Sequence, residues 1–514
     1  MREAEGMKKL IFTICVLLLP SLCWSAVITS AQTGNYPDTS TWVGGAVPDP
    51  VADTVIIAVG HVVTANDTRT IPATTVEGSL VQGPGVTTTL GGALTIGNGA
   101  GKDGTFTFGA GSTLALQANN LVVNNANIRS NATSGAWATV TGSGQVTYSV
   151  TDAKQSWQLS YISWQNTGAH VYRLRSGTGG VTTEFLVDHT TWNGTGAITI
   201  GTAGATLPSV PTTVDNCDFR DLTGDIIFYS TGNDPGANIQ YFRNNTLSQA
   251  TTKRGLAFLR KMVVSGNTFD LFYPNNVNMA KGVAYSGNFI QHARHTSGSG
   301  VVLQNQGTID TDIFQDSYIY SPSTQLNSHA MQTGATTGTA AVQIKNNVFE
   351  FWGSEPNICN MQANTNLSIT GNLVIGNTTN SLLTNGGVSS TGNIVLKNNT
   401  MYSKYGAASG LFLSENATSF TSPISISSNL LQKSDATSVL IAVNNVALNV
   451  MDITSSINNA TDGANFAAAY SNVDTLTTNT GDIFGVNAGF VDATRRLATW
   501  GATVGTDGSD TAAV

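Results

Sequence analysis

Across more than half of this chain, large apolar residues keep fixed distances from a short polar pair. Clear copies of the pair are Asn244-Asn245, Gly266-Asn267, Gly287-Asn288, Asn346-Asn347, Gly371-Asn372 and Asn398-Asn399. With its first member as reference, the series reads Tyr161, His189, Asn216, Asn244, Gly266, Gly287, Gln315, Asn346, Gly371, Asn398 and Ser428, in steps of 21 to 31 residues. Two residues before the reference stand Leu159, Val187, Val214, Phe242, Val264, Tyr285, Ile313, Ile344, Ile369, Leu396 and Ile426. Three residues after it stand Trp164, Trp192, Phe219, Leu247, Phe269, Ile290, Tyr318, Phe349, Val374, Met401 and Leu431. Both columns are apolar throughout, and the positions between them are mainly polar or small.

Such alternation predicts a strand with one buried face, a two-residue bend, and a second strand whose inward residue is large. The first bend residue is mostly Asn or Gly, the residues that best tolerate a left-handed backbone. The second is Asn245, Asn267, Asn288, Asp316, Asn347, Asn372, Asn399 and Asn429 in eight successive copies. Asparagine is poor in strands and costly when buried alone. Stacked at strand spacing, about 4.8 Å, each amide can bond the next, so the expectation is an asparagine ladder inside a solenoid. Residues 156–435 are assigned to these coils. Residues 27–155 carry short β-branched runs between Gly, Asn and Asp turn signals and form a β-rich capping region. Residues 436–514 supply the last coils and a second cap, because stacked coils need covered ends.

Two resemblances follow from these residues. Trp42-Val43-Gly44-Gly45-Ala46-Val47-Pro48, then Asp53-Thr54-Val55-Ile56-Ile57 and Gly60-His61-Val62-Val63, resemble the opening of the β-rich domain named for its eight glycines. The repeat resembles the pectate-lyase-like superfamily, whose members carry such Asn ladders. That resemblance implies an all-β, single-stranded right-handed parallel β-helix, and the handedness comes from it rather than from the pattern. His61 sits in a turn-to-strand step and is assigned a structural role.

Composition adds an address. Only 11% of the 514 residues are charged and 54 are Gly, so Ser, Thr, Asn, Gln and Gly must cover the surface. The net charge of −8 offers no basic footprint for nucleic acid. Lys8 and Lys9, the apolar run Leu10 to Leu19 and small residues near Ala26 form a bacterial-type signal peptide over residues 1–26. The expected location is secreted, extracellular or at the cell surface, and no later segment is apolar enough to span a membrane. Cleavage would leave Cys217 and Cys359, which could bridge in an oxidising compartment, but their positions in the repeat suggest distant coils, and two buried or idle thiols are expected.

The densest charge in this charge-poor chain lies early in the repeat. Asp188, Asp215 and Arg243 stand one residue before the reference in successive coils, with Asp218 and Arg220 just beyond the bend. Val187-Asp188-His189 is similar to a stretch of pectate lyases, which implies a lyase site: Asp188, Asp215 and Arg243 as catalytic residues, with Asp188 and Asp215 as candidate Ca2+ ligands. The Arg-x-Pro-x-x-Arg pattern that carries the base in those enzymes is missing, as are the Gly-His-Gly and Arg-x-Lys signatures of polygalacturonases. A basic group, Arg260, Lys261, His292 and Arg294, joins Asp218 and Arg220 as the candidate substrate-binding set. Tyr273, Tyr320, Phe351, Trp352 and Tyr402 fall beyond the inward column and are candidates for sugar stacking.

Two functions fit these residues. The favoured one is a secreted or surface-exposed protein that binds carbohydrate or a surface, adhesin-like, without catalysis. The alternative is a polysaccharide lyase or glycoside hydrolase acting on an acidic polysaccharide. The expected partner in either is a polysaccharide or cell-surface glycan, and no coiled-coil heptad sets an oligomeric state.

Overall fold

A computed structural model describes residues 26–98, 103–150, 156–174, 184–200, 212–228, 240–249, 254–258, 262–270, 272–273, 284–291, 303–305, 312–321, 329–333, 341–351, 357–361, 366–376, 381–385, 392–403, 409–414, 424–433, 438–443 and 452–457, with short strands at 460–461, 470–471, 475–476, 479–480 and 483–484. The expected signal peptide, apart from Ala26, lies outside the described residues. The chain divides into two compact units, Met1–Gly168 and Ala169–Val514. Both are all-β, and in both the strands stack in parallel as a β-solenoid.

In the first unit, three stacks of parallel strands surround one core. One stack runs Val27–Thr29, Thr54–Ile57, Ala73–Val76, Leu94–Ile96, Leu121–Asn124 and Val146–Val150. The second begins Gly34–Asn35, Val62–Ala65 and Ser79–Gln82, and the third begins Arg69–Ile71, Thr87–Leu90 and Thr113–Ala115. Outward Thr alternates with inward Phe in Thr105–Phe108, and Thr54 and Ile56 alternate with inward Val55 and Ile57, because β-branched and aromatic residues suit a pleated, half-buried surface. Near the amino-terminal end, Trp42 and Tyr36 are buried edge to face, 4.8 Å apart. The Trp42 indole N–H donates to the Tyr36 carbonyl oxygen at 2.8 Å. Gly44 and Gly45 then turn the chain at φ 89° and 68°, conformations that side chains disfavour. His61 Nδ1 lies 2.8 Å from the Ser30 hydroxyl, tying the first strands together.

The second unit contains most of the repeat. Strands before the bend pair in parallel from Glu184–Asp188 to Asp452–Ile457, with a register shift between Ile424 and Ser425 in the last pairing, and those after it from Thr191–Asn193 to Leu430–Lys433. The first bend residue is left-handed in coil after coil: His189, Asn216, Asn244, Gly266, Gly287, Asp316, Asn346, Gly371, Asn398 and Ser428 have φ between 45° and 67°. Val187, Val214, Phe242, Val264, Ile344 and Ile369 are buried before it, and Trp192, Phe219, Phe269, Ile290, Phe349 and Val374 after it. Trp192 and Phe219 stack at 4.6 Å with an interplanar angle of 1°.

One coil departs from the sequence expectation. Asp316, not Gln315, takes the left-handed bend at φ 50°. Phe314 and Ile319 therefore enter the core, while Ile313 and Tyr318 turn to the outer face. Aspartate bonds its local backbone and tolerates this conformation better than glutamine does. The slot after the bend is consequently Ser317 rather than Asp316.

That slot is chemically continuous. The Asn267 side-chain oxygen accepts from the Asn245 backbone N–H at 2.9 Å and from Asn245 Nδ2 at 3.1 Å. Asn267 Nδ2 in turn donates to Asn288 Oδ1 at 2.9 Å and to the Phe242 carbonyl at 3.0 Å. Asn347, Asn372, Asn399 and Asn429 repeat the pattern. Ser317 bridges the two series: its hydroxyl accepts from the Asn288 N–H and donates to the Gln315 carbonyl, and its own N–H donates to Asn347 Oδ1. Cys217 occupies the slot at the other end. Its N–H donates to Asn245 Oδ1 and its thiol to the Asp215 carbonyl. Cys217 and Cys359 are both free and buried; burial pushes both thiols up, Cys359 to about 12.

Truncating Asn267 removes an acceptor shared by two buried donors, each costing about 1–3 kcal/mol when orphaned. Asn267→Ala is expected to lower unfolding stability by about 2–4 kcal/mol, and Asn267→Ser by less, since Ser317 fills the same slot; urea denaturation of the three proteins measures this, and an alanine cost within about 0.5 kcal/mol of zero would refute the role.

His170 supplies a second prediction. It is fully buried, with Nδ1 2.8 Å from the Tyr172 hydroxyl, and desolvation lowers its pKa to about 3. Between pH 6.5 and pH 3 the unfolded chain binds a proton that the folded chain refuses. This contribution is therefore complete above pH 6.5 and falls by about 1.4 kcal/mol per pH unit as the pH drops toward 3. His170→Gln is expected to flatten that slope in denaturation series at pH 7, 5.5 and 4; an unchanged slope would show that another group carries it.

Candidate functional site

The residues singled out by their charge do come together. Asp188 pairs in register with Asp215, and Asp215 with Arg243. Alternation turns all three outward, since Val187, Val214 and Phe242 beside them are buried. Arg243 Nη2 donates to Asp215 Oδ2 at 2.8 Å, and Asn244 Nδ2 to Asp215 Oδ1 at 2.9 Å. Asn216 Nδ2 donates to Asp188 Oδ1 at 3.0 Å, and His189 Nδ1 lies 2.8 Å from Asp188 Oδ2. The Arg243 guanidinium also rests on the Tyr241 ring, 4.9 Å from its centroid. Beyond the bend, Asp218 binds Arg220, whose guanidinium it holds above its ordinary pKa. Arg260, Lys261, His292 and Arg294 lie outside the described residues.

Three of the four carboxylate oxygens of Asp188 and Asp215 thus accept from a neighbouring amide or guanidinium, and the fourth, Asp188 Oδ2, lies beside the His189 imidazole. This donor set does not fit Ca2+, which takes six to eight oxygen ligands in place of such partners. Among the described residues, no group of three or more His, Cys, Asp or Glu is arranged to hold a metal ion. The Asp215–Arg243 pair is also partly open to water, with side-chain exposures of 17% and 39%, so screening keeps its coupling small.

A second feature lies further along the same unit. Gly287, Asp316 and Asn346 are exposed bend residues in three successive coils, followed on the outer face by Phe289, Tyr318 and Val348. They line a groove of about 580 Å³ whose inner wall includes Asn288 and Ser317. Phe289 and Tyr318 stack, with ring centroids 5.2 Å apart and planes 13° apart. The Tyr318 hydroxyl donates to the buried carboxylate of Glu350. Asn346 Nδ2 donates to Asp316 Oδ1 at 3.3 Å across the rim.

The sequence reading missed Phe289 and Tyr318, because Tyr318 had been counted as core. Ile313/Tyr318 and Phe314/Ile319 satisfy the same apolar offsets. The preference of aspartate over glutamine for a left-handed bend was the signal that separates them. Of the aromatics proposed for sugar stacking, Phe351 is buried and therefore excluded. Tyr320 and Tyr402 are half-buried, Trp352 lies outside the described residues, and Tyr273 is described only as part of a strand.

No family model matches the chain, and no curated protein matches it. Among solved structures it shows a likeness to PfbA, a surface adhesin of Streptococcus pneumoniae, with 8% sequence identity over 80% of this chain and 83% of that one. The TM-score is 0.13, and at that level the likeness carries no argument. Among the described residues, no helix is long and apolar enough to cross a membrane.

The charged column has a measurable consequence. A double-mutant cycle on Asp215→Ala and Arg243→Ala is expected to give a coupling of about 0.2–1 kcal/mol, as for other solvated ion pairs. A coupling of about 3 kcal/mol or more would instead indicate a desolvated pair.

Proposed function

We propose that this protein is a secreted or surface-exposed β-solenoid that binds glycan or a glycan-bearing surface, adhesin-like, without catalysis. One observation carries the reading: the carboxylates of the strongest candidate for a catalytic centre are occupied by their own neighbours. Asp215 accepts from Arg243 and Asn244, and Asp188 accepts from Asn216 and lies beside the His189 imidazole. A general base for a lyase needs to reach a substrate proton, and here the carboxylates face guanidinium, imidazole and amide groups instead. Low charge and an outer surface of Thr, Ser and Asn suit an extracellular, hydrogen-bonding role, and the signal-peptide pattern in residues 1–26 supports that location. The pectate-lyase-like superfamily remains the proposed relationship, on the strength of the bend pattern.

Assay of the purified protein against pectate, alginate and hyaluronate, with calcium and with chelator, is expected to release no unsaturated uronate product. Calcium-dependent release that disappears in Asp215→Ala would overturn the non-catalytic reading and restore the charged column as an active site.

A further inference from the structure

We propose that the groove along Gly287, Asp316 and Asn346 is a binding subsite for pyranose rings of an uncharged glycan. This rests on the glycan-binding reading above and deepens it by naming a place and a substrate class.

The physical case begins with the rings. Phe289 and Tyr318 stack into one slab on the outer face, and both keep part of their surface exposed. Each ring covers part of the other, and the part of the pair left open to solvent is apolar. A pyranose that packs its C–H face against it sheds water from both surfaces. Rigidity comes from below, since the Tyr318 hydroxyl is anchored on Glu350. A ring already held in its binding orientation loses little freedom when a sugar lands on it.

The rim supplies the polar half. Asp316 and Asn346 stand exposed at the bends, where carboxylate and amide groups can meet sugar hydroxyls. Gly287 forms the first bend along the groove. A Cβ placed there would meet nothing closer than the Gly266 backbone nitrogen at 3.9 Å. At about 580 Å³ the space falls within the range of small-ligand sites.

Charge selects among glycans. Among the described residues that line the groove there is one carboxylate, Asp316, and no cation. A uronate or other acidic sugar would bring like charge against Asp316, whereas a neutral or N-acetylated sugar would not. The subsite therefore points away from the acidic polysaccharides that a lyase would use.

Isothermal titration with cellohexaose, chitin hexasaccharide and hexagalacturonate tests this on the full chain. The expected result is binding of at least one neutral oligosaccharide in preference to the uronate. Tyr318→Ala is expected to weaken that binding about tenfold or more, as loss of a central aromatic anchor does elsewhere. Tyr318→Phe should lose less than Tyr318→Ala because the stacking ring remains. Phe289→Ala removes the other half of the stacked pair while leaving the bend residues untouched; it too should weaken binding. Neutral-glycan binding that survives both Phe289→Ala and Tyr318→Ala would overturn the groove while leaving the general glycan-binding reading intact. Binding of hexagalacturonate alone, or of none of the three sugars, would overturn the subsite; unsaturated product from hexagalacturonate would overturn the non-catalytic reading as well.

Discussion

The second unit depends on satisfying one buried polar position per coil. A tight bend inside a parallel stack leaves a backbone N–H facing the next coil with no strand partner, and a buried orphan donor costs about 1–3 kcal/mol. The following Asn solves this from its neighbour's side. Its Oδ1 takes the exposed N–H of the coil before, and its Nδ2 moves the unmet valence one coil further on. Each amide is therefore both a solution and a new demand. The apolar columns on either side exclude water from this chain of bonds, which makes each link stronger and each gap more expensive. Serine and cysteine enter the column only where a shorter group can still donate and accept, at Ser317 and Cys217.

The large-scale architecture was legible in the sequence because this constraint is one-dimensional. Val264 and Phe269 sit two before and three after Gly266, and the same offsets return in each coil, so strand, bend and core face can all be read by counting. Counting failed at residues 313–319, where two adjacent registers both offered apolar residues at the required offsets. Only the conformational preference of Asp316 over Gln315 breaks that tie. The grouping of Asp188, Asp215 and Arg243 was also legible, since a shared offset implies a shared strand face. Their pairing was not. Whether a carboxylate faces solvent or a neighbouring Asn amide depends on side-chain rotamers, and nothing in residue spacing encodes those. The aromatic groove was hidden for a related reason: it needs Tyr318 to be outward, and the mistaken register counts Tyr318 as inward.

The two outward features illustrate different ways for a solenoid surface to hold chemistry. Where coils place opposite charges at one offset, as with Asp215 and Arg243, the stack brings the charges together and neutralises them. Where coils place aromatic rings at one offset, as with Phe289 and Tyr318, the stack makes a larger surface out of smaller ones. Parallel stacking thus cancels unlike charges and sums like surfaces. A chain with few charges and many small polar residues favours the second outcome, and its surface differences between coils are correspondingly local.

The bend also separates length from register. The partners Asn267 and Asn288 are 21 residues apart in sequence, while Asn399 and Asn429 are 30 apart, yet the same amide contact joins each pair at 2.9 and 3.0 Å. The bend acts as an indexing mark, and the chain between two marks is slack that can be taken up or let out. Residues can therefore be inserted or deleted within a coil without moving the coils above and below. The outline of the second unit can thus be redrawn one coil at a time while the column of bends stays the same.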